Sequence, residues 1–291
     1  MTLRGLIVGT SHCAALRLAW RQRPGQWPGM ALDFAAMHGD GLADLDVTAG
    51  RLVARSEPLR DNLRLLNGRD SFDLEPYDFI GFCGGTPSSF HAIHLYRAAR
   101  WPGLASVAAN PRPEDLPQSL ISEACFEQAL AGLIRAAPSF RLIGLLAGQP
   151  SHRLYVIPHP PLSFAALKAG KTFLGFRQMH QNGDSRPLAR MLDRASRTAC
   201  DGLATLVAPP SAVRKHEFFT HPDFRRGATK LGTDDAAAQP EGDYLHGNAE
   251  YGGHILTALQ SALTAAPAQP VSPMSQGPDG ARNTGAVTPA R

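Results

Sequence analysis

Short apolar runs, each closed by glycine or proline, alternate along this chain with longer segments of helical spacing, and that alternation limits the fold more than any other feature. The first run, LRGLIVG over residues 3–9, is continuous in LIV and bounded by Gly5 and Gly9, the pattern of a strand buried on both faces. A helix is predicted from His12 to Arg23, ending before Pro24. Met30 to Met37 is the next strand, Leu45 to Arg55 a short hairpin turning at Gly50, and Tyr77 to Cys83 a third run that ends in Gly84 and Gly85. Helices are predicted over Ser89 to Arg100, Pro117 to Ala137, Arg186 to Cys200 and Ala249 to Ala265, and strands over Arg153 to Ile157 and Leu203 to Val207. Strands that alternate with helices imply an α/β fold, with a mostly parallel sheet covered on both faces.

One α/β domain over residues 1–265 accounts for these elements. Residues 266–291 are rich in Pro, Ala, Gly, Ser and Thr and nearly free of large apolar side chains, so a disordered low-complexity tail is expected there. No internal repeat of fixed period is present.

Composition narrows the function classes. With 291 residues, 43% hydrophobic and 19% charged, the chain is of ordinary globular type and long enough to bury a full core. Its net charge of +4 is spread over scattered arginines without a basic stripe carrying aromatics, so no nucleic-acid partner is expected. Cys13, Cys83, Cys125 and Cys200 lie far apart without CxxC spacing and read as reduced thiols. The opening MTLRGLIVGT is too short an apolar run for a secretion signal, and no stretch of about 18 apolar residues exists to span a membrane. A cytoplasmic protein is the expectation, with no membrane span and an undetermined oligomeric state.

Two segments carry candidate chemistry. Thr10, Ser11 and His12 follow the first strand, where an open α/β sheet collects ligands and the next helix offers free N–H groups. The plainer reading of Ser11 is a helix cap; a serine becomes a nucleophile only with a base in reach and a third group orienting that base. At the other end, DYLHGNAEYGGHIL places Asp243 three residues before His246 in a turn ahead of a helix. That spacing lets a carboxylate hold the imidazole of its own turn, while the plainer reading has Asp243 capping the helix and His246 at the surface.

Taken together, GTSH after the first strand and DxxH before the last helix resemble blocks I and V of the SGNH/GDSL hydrolase superfamily, in that superfamily's chain order. The resemblance implies a flavodoxin-like three-layer α/β/α fold. It also implies a serine ester hydrolase without cofactor, in which Ser11 attacks an acyl carbon, His246 relays the proton and Asp243 orients His246. The expected partner is a small-molecule or carbohydrate ester bearing an O-acyl or O-acetyl group.

The departures are specific. The family's oxyanion hole uses the serine N–H, a block II glycine N–H and an asparagine side chain from a Gly-x-Asn block. Here IGFC is followed by Gly84, Gly85 and Thr86, so Ser11, Gly84, Gly85 and Thr86 become the candidate hole, with Thr86 in the asparagine position. Thr10 stands where the family often has aspartate. Gly68 is the candidate block II glycine, and Asn110 an alternative side-chain donor. A catalytically weak domain that binds a carbohydrate or protein is therefore the second reading. His91 and His94 sit at i,i+3 without a carboxylate or cysteine at ligand spacing, and no metal is expected. Ser88 and Ser89 read as caps of the helix that follows. Loops PHPP (158–161) and THPDFRRG (220–227) stand at strand ends, where His159 is the candidate substrate contact and a purely structural loop the plainer role.

Overall fold

Five of the apolar runs pair into one sheet in the computed structural model, which describes residues 2–148 and 152–265. The strands are β1 (Leu3–Gly9), β2 (Met30–Ala36), β3 (Phe79–Cys83), β4 (Arg153–Ile157) and β5 (Thr205–Leu206). Their order is β2-β1-β3-β4-β5 and every pairing is parallel, the doubly wound arrangement of flavodoxin-like folds.

The two-residue period of a strand explains why these runs are continuously apolar. Leu6, Val8, Ile80, Phe82, Leu154 and Val156 enter one buried cluster, and the intervening Ile7, Phe79, Tyr155 and Ile157 enter the other. The second cluster is closed by α1 (Cys13–Gln22) and by the C-terminal helix (Ala249–Thr264), which cross so closely that a Cβ at Gly252 would lie 2.0 Å from the Ala15 carbonyl oxygen. The first is covered by α2 (Glu57–Asn67), α3 (Ser89–Ala98), α4 (Glu123–Arg135), α5 (Pro138–Ala147), α6 (Leu174–Gln181) and α7 (Ser185–Cys200); the C-terminal helix is α8. The result is a three-layer α/β/α fold.

Several elements depart from the sequence expectations. Within the segment Pro117 to Ala137 the helix begins only at Glu123, where Ser122 caps α4, because Ser119–Leu120 form a short strand; a separate helix, α5, starts just beyond it with Pro138 in its first turn. Helices α2, α5 and α6 have no counterpart in the sequence expectations. Gly68 is the left-handed C-terminal residue of α2, φ 70°, and its N–H donates to Arg64, so it is a helix terminator and not a block II oxyanion donor. The hairpin at Leu45–Thr48 and Arg51–Ala54 turns through Ala49 and Gly50, both with positive φ. Among the described residues no single helix is long and apolar enough to cross a membrane. The expected tail, residues 266–291, lies outside the described residues.

Candidate active site

Chain order reverses at β1: β2 lies on one side of it and β3 on the other, and ligands in open α/β sheets gather outside the carboxyl ends at that switch point. Ser11 follows β1 there, and Gly84 and Gly85 follow β3. The two turns touch. A Cβ at Gly84 would stand 2.4 Å from Thr10 Oγ1, and its φ of 120° is open to glycine alone. Ser139, at the start of α5, clamps the same turn by donating its hydroxyl to the Gly84 carbonyl at 2.5 Å and its N–H to Gly85.

His246 arrives from the far end of the chain. Its Nε2 lies 2.9 Å from Ser11 Oγ across 235 positions, and its Nδ1 lies 3.1 Å from each carboxylate oxygen of Asp243. Asp243 also accepts the N–H groups of Leu245 and His246, which locks the turn that carries both side chains. Asp243 does not cap α8. Asn248 does so, accepting from Tyr251 N–H, while its amide donates to the carbonyls of Asp223 and Arg226. The DxxH turn is thereby bolted to residues 222–226, and Tyr244 accepts the N–H of Ser163 from the loop after β4.

Burial pushes the Asp243 carboxyl up, but the hydrogen bond and charge of His246 and the two backbone N–H groups outweigh it, so the group sits below the usual carboxylate range. His246 and Asp243 keep side-chain exposures of 20% and 11%, so the pair is sheltered and still reachable. Two further imidazoles extend from it in a row of tilted rings: His12 lies 5.0 Å from His246 between ring centroids, and His159 lies 4.4 Å from His12. Burial, reinforced by the neighbouring histidines, pushes His12 well down and His159 down to about 4, so both stay neutral near pH 7. Arg225 lies nearby, buried with only Nη2 bonded, to the Pro161 carbonyl. Burial lowers its guanidinium to about 10, against the opposing influence of Tyr251 and Asp243, and it remains charged.

The candidate oxyanion groups do not all fit. Thr86 is buried and its hydroxyl donates to the Ile157 carbonyl at 2.8 Å, so that donor is spent on joining the ends of β3 and β4. The Thr86 side chain is withdrawn from the hole. The N–H groups of Ser11, Gly84 and Gly85 donate to none of the described acceptors and remain available. Asn110 accepts from the N–H of Arg112 within its own turn. Among the described residues, no group of three or more His, Cys, Asp or Glu is arranged to hold a metal.

His12, Ser139 and Arg225 carry no role in the sequence reading. His12 was visible beside Ser11, but nothing local announces that its ring faces His246, and Ser139 reaches Gly84 across 55 positions.

No family model matches the chain, and no curated protein matches it in sequence. Among solved structures, a DUF4886 family protein from Bacteroides uniformis is similar at 12% identity and a TM-score of 0.34, over 90% of this chain and 95% of that one. A phospholipase A1 from Streptomyces albidoflavus is similar at 14% identity and a TM-score of 0.35, over 90% of this chain and 99% of that one. The chemistry assigned below stands on the side-chain geometry.

Proposed function

We propose that the protein is a serine ester hydrolase of the SGNH/GDSL type, with Ser11 as nucleophile, His246 as general base and acid, and Asp243 as the residue that orients His246. The supporting observation is the single line of hydrogen bonds from Ser11 Oγ through both ring nitrogens of His246 to Asp243. A carboxylate bound at Nδ1 fixes the tautomer whose Nε2 accepts the serine proton.

As Ser11 Oγ bonds to the ester carbonyl carbon, its proton passes to His246 Nε2, and Asp243 offsets the charge of the imidazolium. The tetrahedral oxyanion meets the N–H of Ser11 and those of Gly84 and Gly85, at the positive end of α1. Collapse returns the proton from His246 to the departing alcohol, and water attacks the acyl-serine by the same relay. His12 and His159 are both neutral, and neither touches Ser11 Oγ, so the proton relay runs through His246.

Stoichiometric labelling by an organophosphonate, together with hydrolysis of an aryl acetate, tests the reading. Both should vanish in Ser11→Ala. One observation favours a second reading: with the Thr86 hydroxyl spent on Ile157, the hole keeps backbone donors only, which suits a slow enzyme or a domain that binds its ester without cleaving it. An unlabelled Ser11 in folded protein selects that alternative. The expected substrate remains an O-acyl or O-acetyl ester of a carbohydrate or small metabolite.

A further inference from the structure

A cavity of about 40 Å³, partly open to solvent, has His159 in its lining. It occupies the carboxyl edge where β3, β4 and β5 end against α7, and Pro87, Pro158, Pro161, Pro209, Leu192 and Phe218 supply its apolar wall. Proline rings have one fixed backbone angle and no N–H, so this wall is stiff and offers few donors. Of the charged groups around it, Asp193, Arg214 and Glu217 are paired, and the exposed Arg197 has no salt-bridge partner among the described residues. Arg214 holds Asp193 through two hydrogen bonds of 3.0 Å, and Glu217 is paired with Arg186 at 2.9 Å.

Against that background three lining residues have a buried polar atom without a partner: Ser89 Oγ, His159 Nε2 and Arg214 Nε. Ser89 is 3% exposed, and the cap of α3 is supplied by Ser88, whose hydroxyl accepts from Phe90 N–H. Its own hydroxyl therefore has no structural duty. His159 joins the cavity to the chemistry, since it lines the cavity and its ring packs at a tilt against His12, which packs at a tilt against His246. Buried polar groups in folded proteins are ordinarily hydrogen-bonded, and several orphans around one apolar cavity are the arrangement of a ligand site.

We infer that this cavity receives the apolar substituent of the ester cleaved at Ser11, a short chain of a few carbons bearing a hydrogen-bonding group that meets Ser89 and His159. The inference rests on the hydrolase reading above. Such a substituent belongs either to the acyl half or to the alcohol half of the ester, and the same wall suits both.

Two substrate series separate these sources. One is p-nitrophenyl esters from acetate to octanoate, the other acetate esters of alcohols of rising carbon number. In one series kcat/KM should climb from the smallest member by about fourfold per buried methylene over the first few carbons. Ala208→Trp, placed at an exposed position on the cavity lining, should bring the ratio of hexanoate to acetate hydrolysis, or its alcohol counterpart, close to one. Leu192→Ala should move the optimum to longer chains. A terminal hydroxyl on the favoured chain should raise kcat/KM in wild type and not in Ser89→Ala. Acetate hydrolysis with a flat response in both series overturns the cavity assignment and leaves the hydrolase reading standing. No cleavage of any ester and no phosphonate label overturns the hydrolase reading, and the cavity assignment with it.

Discussion

Thr86 donates its hydroxyl to the carbonyl of Ile157 at 2.8 Å, a buried bond between the ends of two neighbouring strands and directed into the sheet. Thr86→Val keeps the shape and strands a buried carbonyl. The variant should lose about 1 to 3 kcal/mol of stability. Its kcat should change by less than about threefold, whereas removal of a working oxyanion donor costs about 100- to 1000-fold. Thermal melts and turnover on an aryl acetate separate the two roles.

Asn248 holds the DxxH turn by three bonds: from Tyr251 N–H, and to the carbonyls of Asp223 and Arg226. Asn248→Ala removes the cap of α8 and frees the turn, at a cost of about 1 to 3 kcal/mol. Because Asp243 and His246 ride on that turn, kcat should fall roughly tenfold at temperatures where the variant is fully folded. Circular dichroism melts and steady-state kinetics check both parts.

Acid should destabilise the fold in a defined window. His159 is neutral in the folded protein down to about 4, while an unfolded histidine takes a proton near 6.5. Between those values the unfolded chain binds the extra proton, so stability rises with pH and is lost on acidification; buried His12 acts in the same direction. Asp243, held below its usual range, contributes above the unfolded carboxylate value and loses that contribution at lower pH still. The melting temperature should drop by several degrees from pH 7 to pH 5, and by less in His159→Gln. Equal drops in both proteins would contradict this account of His159.

Asp243→Asn should leave the fold intact and cut hydrolysis by a factor on the order of 10 000, since an amide no longer fixes the tautomer that presents a basic Nε2 to Ser11. Proton NMR of the Nδ1–H, with kinetics on the same sample, distinguishes a lost tautomer from a displaced ring.

The parts of this molecule legible in the sequence are those set by local pattern. The run LIV between glycines announces β1, and the three-residue spacing of Asp243 and His246 announces a turn in which they meet. That Ser11 lies beside His246 came from the chain order of the family the motifs resemble, not from any local pattern. Helix α2 carries its own local signals, with Ser56 as cap, Pro58 in the first turn, Leu59, Leu63 and Leu66 on one face and Gly68 as terminator. What stayed hidden depends on distant partners. The hydroxyl of Thr86 is committed to a carbonyl 71 positions away, and the tilted contact of His12 with His159 forms only when β1 and β4 end on the same edge.

The central claim is that Ser11 and His246 act as one unit. Ser11→Ala, His246→Ala and the double variant, each checked for an unchanged melt, are compared by kcat on an aryl acetate. If the two groups share one proton relay, each single change abolishes nearly all turnover and the double variant is little slower than either. Turnover in Ser11→Ala equal to wild type, or losses that multiply in the double variant, would contradict the mechanism.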